Sequence, residues 1–195
     1  MFRIYRYNND QNGILTDSLR ERALSILPEN VKEHVLRSAN REDRDHSLIV
    51  YLLLAFGLAE DFGIDELPCL EYLDSGKPVL TSSCLWHGHQ LYCSFSHTGC
   101  ACAAAVADFP VGIDIQEIDR LPEKRAVRHR AARRLFTEKI CEKIKTSRDP
   151  EREFIRHFAI HEALYKQRSP QPLSGGKFIF QQRFINRIYN LFHSY

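Results

Sequence analysis

The stretch VGIDIQ at residues 111–116 places one carboxylate, Asp114, in an apolar run that predicts a buried strand. A charged side chain in such a run is costly unless it is paired or binds a metal ion. Gln116 lies two positions further on, so we expect its amide on the same face as Asp114. The two side chains are candidate Mg²⁺ ligands; alternatively, Asp114 ends the strand and caps a turn.

A second stretch, FAIHEALYK at residues 158–166, predicts a helix with Glu162 and Lys166 on one face. Such a pair is often no more than a surface ion pair. Here Ile155 extends the same face, so the pair is expected on a partly apolar surface. Only the fold can bring Glu162 to Asp114, and two converging carboxylates beside a lysine suit Mg²⁺ and a polyphosphate.

Two further groups carry candidate phosphate contacts. Ser96 and His97 end a predicted strand in FSHTG, where a hydroxyl and an imidazole can contact phosphate oxygens; the alternative is a structural histidine. Lys77 lies in the turn SGKP, which lacks the rest of a P-loop and could be simply solvated. The chain has no Gly-x-Ser-x-Gly motif, which argues against a serine hydrolase.

Basic residues gather at the start of the helix predicted at 41–62. They are Arg37, Arg41, Arg44 and His46. A helix N-terminus favours phosphate, so this group is a candidate anion site. A solvated helix face is the alternative.

The bulk composition is that of a globular protein. Of 195 residues, 44% are hydrophobic and 27% charged, and the formal net charge of +2 does not imply nucleic acid. Neither a signal peptide nor a membrane span is visible, so we expect a cytoplasmic protein with reduced cysteines. The pair Cys100-x-Cys102 hints at a metal, but small residues continue it as a buried strand.

The patterning predicts an α+β fold. Helices are predicted at 17–27, 29–39, 41–62, 123–135, 138–145 and 150–167. Strands are predicted at 2–7, 69–73, 78–81, 91–96, 100–107 and 111–116, with one or two more around 178–180 and 184–192. Residues 86–89 are interpreted as a turn, and each half of the chain is expected to combine helices with a small antiparallel sheet.

The order of the motifs is informative: Gly-Lys-Pro, then Phe-Ser-His, then Gly-Ile-Asp, then Phe-x-x-x-Glu-Ala-x-x-Lys. In this order the sequence resembles the 4′-phosphopantetheinyl transferase superfamily, in its larger pseudodimeric type that activates surfactin synthetase and similar systems. The resemblance covers about residues 41–167.

The resemblance implies two similar α+β halves, 1–106 and 107–195, packed side by side in a monomer. Such enzymes transfer the 4′-phosphopantetheine arm of coenzyme A to a serine of an apo carrier protein and release 3′,5′-ADP. The carrier could serve fatty-acid, polyketide or nonribosomal-peptide synthesis. Because carriers are usually acidic, a basic run is a candidate contact, with a solvated face as the alternative: Lys124, Arg125, Arg128, Arg130, Arg133 and Arg134.

The resemblance also implies roles for the site residues. Asp114, Glu162 and Gln116 would hold Mg²⁺ on the coenzyme A pyrophosphate, with Glu162 as candidate base for the carrier serine. Lys166 and His97 would contact the pyrophosphate. The remaining implied contacts are with the nucleotide and its phosphates: Lys77 and Ser96, and for the 3′-phosphate Arg41, Arg44 and His46.

Four positions depart from the family pattern. His161 stands in place of lysine, Phe158 in place of tryptophan, Gln116 in place of a frequent acid and His46 in place of a frequent arginine. Two alternatives therefore stay open beside an active transferase. One is a catalytically weakened relative that binds coenzyme A or a carrier, and the other is an unrelated Mg²⁺-dependent phosphohydrolase.

Overall fold

The computed structural model describes residues 1–8, 15–73, 76–118 and 125–168, and these residues form small sheets and six helices. The helices are α1 Asp17–Ser25, α2 Glu29–Leu36, α3 Arg41–Phe62, α4 Arg125–Leu135, α5 Glu138–Thr146 and α6 Pro150–Arg168. The strands are β1 Phe2–Asn8, β2 Leu70–Tyr72, β3 Pro78–Leu80, β4 Leu85–Trp86, β5 His89–Gln90, β6 Tyr92–His97 and β7 Ala101–Ala107. This mixture of helices and small sheets is compatible with the predicted α+β class.

The main sheet has the antiparallel order β1-β7-β6, so β7 is its central strand. The side chains of β7 are small and almost entirely buried, which lets other elements approach both faces. Cys102 and Val106 belong to the main core, whereas Ala105 and Ala107 pack with Val111 in a separate cluster. The alternation along the strand thus separates the two sides of the sheet.

Helix α3 forms the main core against this sheet. It begins and ends where its local sequence predicts. Asn40 caps its start by accepting a hydrogen bond from the Glu42 N–H, and Gly63 ends it with φ +66°. Gly57 lies against the ring of Tyr5, where a Cβ would come within 2.1 Å of a ring carbon. Among the helices of the described residues, none is long and apolar enough to cross a membrane.

The second half consists of helices as far as the structure describes it. Helices α4, α5 and α6 enclose a small core of Ala132, Ile144 and Phe154. Residues 108–118 and 125–168 contain no strand. The strands expected around 178–180 and 184–192 lie outside the described residues, so the similarity of the two halves stays a prediction.

The strand predicted at 111–116 is wrong. This segment lies beside β6, but its backbone bonds to side chains and not to a backbone ladder. The N–H groups of Ile113 and Ile115 donate to the hydroxyls of Ser94 and Ser96, each at 3.1 Å. Ser94 and Ser96, two positions apart on β6, therefore hold Ile113 and Ile115, two positions apart in the segment.

The turn interpreted at 86–89 is a short hairpin. Trp86 and His89 are paired residues of β4 and β5, and His87 and Gly88 between them have φ of +49° and +80°. Two consecutive positive φ values fit the two-residue turns that join twisted strands. A histidine in that conformation is uncommon, which is why the sequence did not indicate the hairpin.

Candidate active site

The side chain of Asp114 is buried, and both of its carboxylate oxygens accept hydrogen bonds. Its side chain is only 5% exposed. Oδ1 accepts hydrogen bonds from the Ser96 hydroxyl at 3.0 Å and from Lys166 Nζ at 2.6 Å, and Oδ2 accepts one from the Gln116 amide at 2.7 Å. These partners compensate the burial of the charge, as a carboxylate in this position requires.

Lys166 joins three elements through its ammonium group. Helix α6 carries it to the end of β6, where Nζ lies 3.3 Å from the Phe95 carbonyl and 3.4 Å from the Ser96 hydroxyl. It also lies 3.2 Å from the Ile113 carbonyl, next to Asp114. Three ammonium protons thus serve four oxygens of β6 and the 111–116 segment. The fold thus brings the lysine of the second motif to Asp114, the carboxylate of the first.

Gly112 explains why the two motifs meet. A Cβ at this position would lie 1.9 Å from the Ala163 carbonyl oxygen and 2.6 Å from the Gln167 backbone nitrogen. Backbone of α6 therefore occupies the space where any side chain would stand. The Gln167 amide adds a 3.1 Å hydrogen bond to the Pro110 carbonyl. The glycine and the helix together place Lys166 beside Asp114.

A cleft of about 320 Å³ opens over these residues. Five predicted site residues line it: Ser96, His97, Asp114, Gln116 and Lys166. The rest of its wall is largely aromatic or apolar and includes His34, Val50, Tyr51, Pro78 and Phe95. The cleft thus combines charged and polar groups around Asp114 with aromatic and apolar side chains, a combination suited to a ligand with both phosphate and ring.

The aromatic wall is held by contacts that sequence reasoning missed. His34 stacks on Tyr72 with ring centroids 4.1 Å apart, and the Tyr51 and Tyr72 hydroxyls lie 3.1 Å apart. Tyr51 also meets Phe95 edge to face at 5.2 Å. These residues come from α2, α3, β2 and β6, so no local motif could have indicated them.

His97 stands at the end of β6 and stacks on His46, with centroids 5.2 Å apart and planes 15° apart. His97 is exposed at the end of β6, but the protein groups around it partly desolvate the ring and lower its pKa; the nearby His46 lowers it further, and Asp43 opposes them. His97 is therefore neutral at neutral pH in the free protein. His46 is 3% exposed, and its Nε2 has no hydrogen-bond partner among the described residues.

Three other residues of the predicted ligand set contact protein groups in this structure. The Lys77 ammonium donates to the backbone carbonyl of Lys166. Arg41 donates to Asp17 at 2.7 Å, and Arg44 contacts the Ser38 carbonyl at 3.4 Å. In the described part of the chain, these three residues and His46 do not line the cleft.

Glu162 lies one helical turn before Lys166 and is also outside the cleft lining as described. Its side chain is 32% exposed, and Oε1 lies 3.4 Å from Nδ1 of His161. The described residues contain no group of three His, Cys, Asp or Glu side chains arranged to hold a metal ion. The predicted ligand set has only two carboxylates, since its third member is the amide of Gln116.

The Asp114 and Gln116 side chains nevertheless fit a hard cation. Their facing polar atoms are 2.7 Å apart, and turning the amide over would place its oxygen there. Carboxylate and amide oxygens are the kind of ligand that Mg²⁺ prefers, so the two side chains would suit it as donors. Glu162, on the helix face of Lys166, would supply the second carboxylate.

The predicted carrier contact falls partly on α4. Arg130, Arg133 and Arg134 are exposed, and Arg128 is half-buried. Lys124 lies outside the described residues. This basic surface, like the alternative of a plain solvated face, stays a prediction.

Comparison with known proteins supports a family for part of the chain. The family model of the 4′-phosphopantetheinyl transferase superfamily matches residues 110–186, less than half of the chain. The matched stretch contains Gly112, Asp114, Gln116, Glu162 and Lys166. No curated protein matches the chain. The match supports a transferase of the phosphopantetheinyl transferase kind, carried by the part of the chain that supplies both Asp114 and Lys166 to the cleft.

Proposed function

We propose that this protein transfers the 4′-phosphopantetheine arm of coenzyme A to a serine of an apo carrier protein and releases 3′,5′-ADP. The observation that carries the proposal is the contact of Lys166 with Asp114 at 2.6 Å, in a cleft that also contains Ser96 and His97. Both residues of the contact lie in the stretch that matches the family model. The proposal includes two halves, 1–106 and 107–195, with the substrate between them.

The reaction exchanges one phosphorus–oxygen bond for another. The carrier serine oxygen bonds to the phosphorus that bears the pantetheine arm, and the bond from this phosphorus to the bridging oxygen of the pyrophosphate breaks. The serine proton passes to a base, and 3′,5′-ADP leaves with the bond electrons. Negative charge grows on the phosphoryl and leaving oxygens, so positioned cations and hydrogen-bond donors accelerate the step.

The chain has candidate groups for the cation, the hydrogen-bond donors and the base that this reaction requires. Lys166 is held by its contacts and offers positive charge at the Asp114 end of the cleft. His97 can donate a hydrogen bond to a phosphate oxygen while neutral, and the Ser96 hydroxyl lies beside it. Glu162 is our candidate for the base that takes the serine proton.

Asp114, Gln116 and Glu162 would hold Mg²⁺, which would neutralise charge on the pyrophosphate when bound. The Asp114–Lys166 contact means that part of the Asp114 charge is already balanced. We therefore propose a weaker metal site than one with three carboxylates.

The test is the intact mass of apo carrier proteins after incubation with this protein, coenzyme A and Mg²⁺. We expect a gain of one phosphopantetheine arm that is lost when Mg²⁺ is chelated. Acyl and peptidyl carriers should both be assayed. No gain on any of them would contradict the proposal, and release of inorganic phosphate from nucleotides without a carrier would favour a phosphohydrolase.

Glu162→Gln provides the matched variant, with Glu151→Gln of the same helix as control. Loss of transfer in the first and not in the second is expected if Glu162 is the base or a metal ligand. Retained carrier binding without transfer in the unaltered protein would instead favour the weakened relative.

A further inference from the structure

Lys77 contacts the backbone of the residue whose side chain anchors the site. Its ammonium donates to the Lys166 carbonyl in the last turn of α6. The side chain of the same Lys166 reaches Asp114 and the end of β6. Lys166 is thus held at both ends, by Lys77 from one half of the chain and by Asp114 from the other.

The position of Lys77 is itself well defined. It precedes β3, and the β2–β3 turn is closed by hydrogen bonds from the Leu73 N–H to the Lys77 carbonyl and from the Gly76 N–H to the Leu73 carbonyl. Gly76 has φ +78°, a conformation that favours glycine. The backbone of Lys77 is therefore fixed before its side chain extends to α6.

The electrostatics fit a role in positioning. Burial lowers the pKa of Lys77, and the neighbouring Lys166 ammonium lowers it further. A cation buried beside another cation needs compensation, and the C-terminal end of a helix provides it through its carbonyl groups. Lys77 is absent from the described lining of the cleft, so its ammonium is directed at protein and not at the ligand space.

We propose that Lys77 is a positioning residue that acts through Lys166. By fixing the last turn of α6, it keeps the Lys166 ammonium beside Asp114 before any substrate arrives. Without this contact, the flexible four-carbon side chain of Lys166 would have to be ordered beside Asp114 during each turnover. The catalytic part of this inference rests on the proposed transfer activity, whereas the structural part does not.

The test compares Lys77→Met with Lys77→Arg, and with Lys145→Met as control for the removal of an exposed lysine. The first readout is NMR of the lysine ammonium groups, with the Lys166 signal assigned through Lys166→Met. Hydrogen bonding slows proton exchange and makes that signal visible. We expect Lys77→Met to abolish it and the other two variants to keep it.

The second readout separates kcat from KM for coenzyme A. Lys77→Met should lower kcat by about tenfold to a hundredfold and change KM by less than about twofold, and Lys77→Arg should recover part of kcat. A Lys166 signal that persists in Lys77→Met overturns the proposal. So does a lost signal with unchanged kcat, or a rise in KM as the main effect, which would make Lys77 a direct ligand contact.

The two readouts also separate this proposal from the proposed function. If the unaltered protein transfers nothing to any carrier, the proposed function fails. The ammonium signal then decides alone whether Lys77 positions Lys166.

Discussion

The Lys166 ammonium lies 2.6 Å from Oδ1 of Asp114, although the two residues are 52 positions apart in the chain. The contact joins the last turn of α6 to the 111–116 segment, and Ser96 of β6 completes it. It is the point at which the two chemically distinctive motifs meet. The stability of the fold and the proposed transfer activity therefore depend on the same pair of residues, and variants can separate these two effects.

Lys166→Met should reduce both stability and transfer. Asp114 would remain buried with its charge supported only by Ser96 and Gln116. We expect a loss of about 1–3 kcal/mol in the free energy of unfolding, measured with urea, and a decrease in kcat of about a hundredfold or more.

The double variant Lys166→Met with Asp114→Asn distinguishes the two effects. Removal of both charges should recover part of the lost stability, because no unpaired carboxylate remains. It should not recover transfer. Additive losses of stability in the double variant would show that the pair is not coupled.

Gly112→Ala should disrupt the packing of α6. The new methyl group would meet the Ala163 carbonyl, which is backbone and cannot turn away. We expect a loss of at least about 1–3 kcal/mol in the free energy of unfolding, together with loss of the cleft.

Gly99→Ala is the matched control for this change. Among the described residues, its new methyl group would meet only Oε1 of Glu117 at 3.3 Å, the end of a flexible side chain. The expected cost is below about 0.5 kcal/mol. Equal losses in the two variants would contradict the packing of Gly112 against α6.

Local signals predicted part of this structure well. Helix α3 has both predicted bounds, since its Asn40 cap and Gly63 terminator act on neighbouring backbone groups. Asp114 and Lys166 are candidates from the sequence alone, because a charge in an apolar run and a paired helix face are visible there. The contact that brings them together depends on Gly112, whose role appears only with α6 in place.

Contacts between distant parts of the chain are not visible in the local pattern. The segment 111–116 has the apolar pattern of a strand, yet its N–H groups bond to the hydroxyls of Ser94 and Ser96. Lys77 has the pattern of a solvated or ligand-binding turn, yet its partner is 89 positions away in α6. Both hydrogen bonds join parts of the chain that are distant in sequence, which periodicity cannot represent.

Gln116→Glu should strengthen Mg²⁺ binding. A carboxylate would replace the amide that faces Oδ2 of Asp114, and ligand charge raises affinity for a hard cation. We expect calorimetric titration in the presence of coenzyme A to give a Kd for Mg²⁺ about tenfold lower. Without Mg²⁺, the two facing carboxylates should repel and lower the melting temperature.

The neighbouring Glu117→Gln is the control. Its Oε1 accepts from the Cys100 N–H and does not face Asp114, so Mg²⁺ affinity should change little. Unchanged Mg²⁺ affinity in Gln116→Glu would remove residue 116 from the ligand set.

His97 should make stability depend on pH. Its pKa is lowered in the folded protein, first by partial desolvation and then by His46, so the unfolded chain binds the proton more readily. Its contribution to stability is complete above the unfolded value of about 6.5 and is lost as the pH falls from there through the lower folded pKa. His34 and His157, whose pKa values are also lowered chiefly by burial, act in the same direction.

Urea denaturation at pH values from about 7.5 to about 5 would measure this effect, because this interval includes the ordinary histidine pKa of about 6.5. His97→Gln should reduce the slope of stability against pH, whereas His89→Gln, on the exposed β5 strand, should leave it unchanged.

Inorganic pyrophosphate bound beside His97 would favour the protonated ring, so its binding near pH 6 should take up a proton in the unaltered protein and not in His97→Gln. Calorimetry in buffers of different ionisation enthalpy gives that proton number, and an equal uptake in both proteins would place the phosphate away from His97.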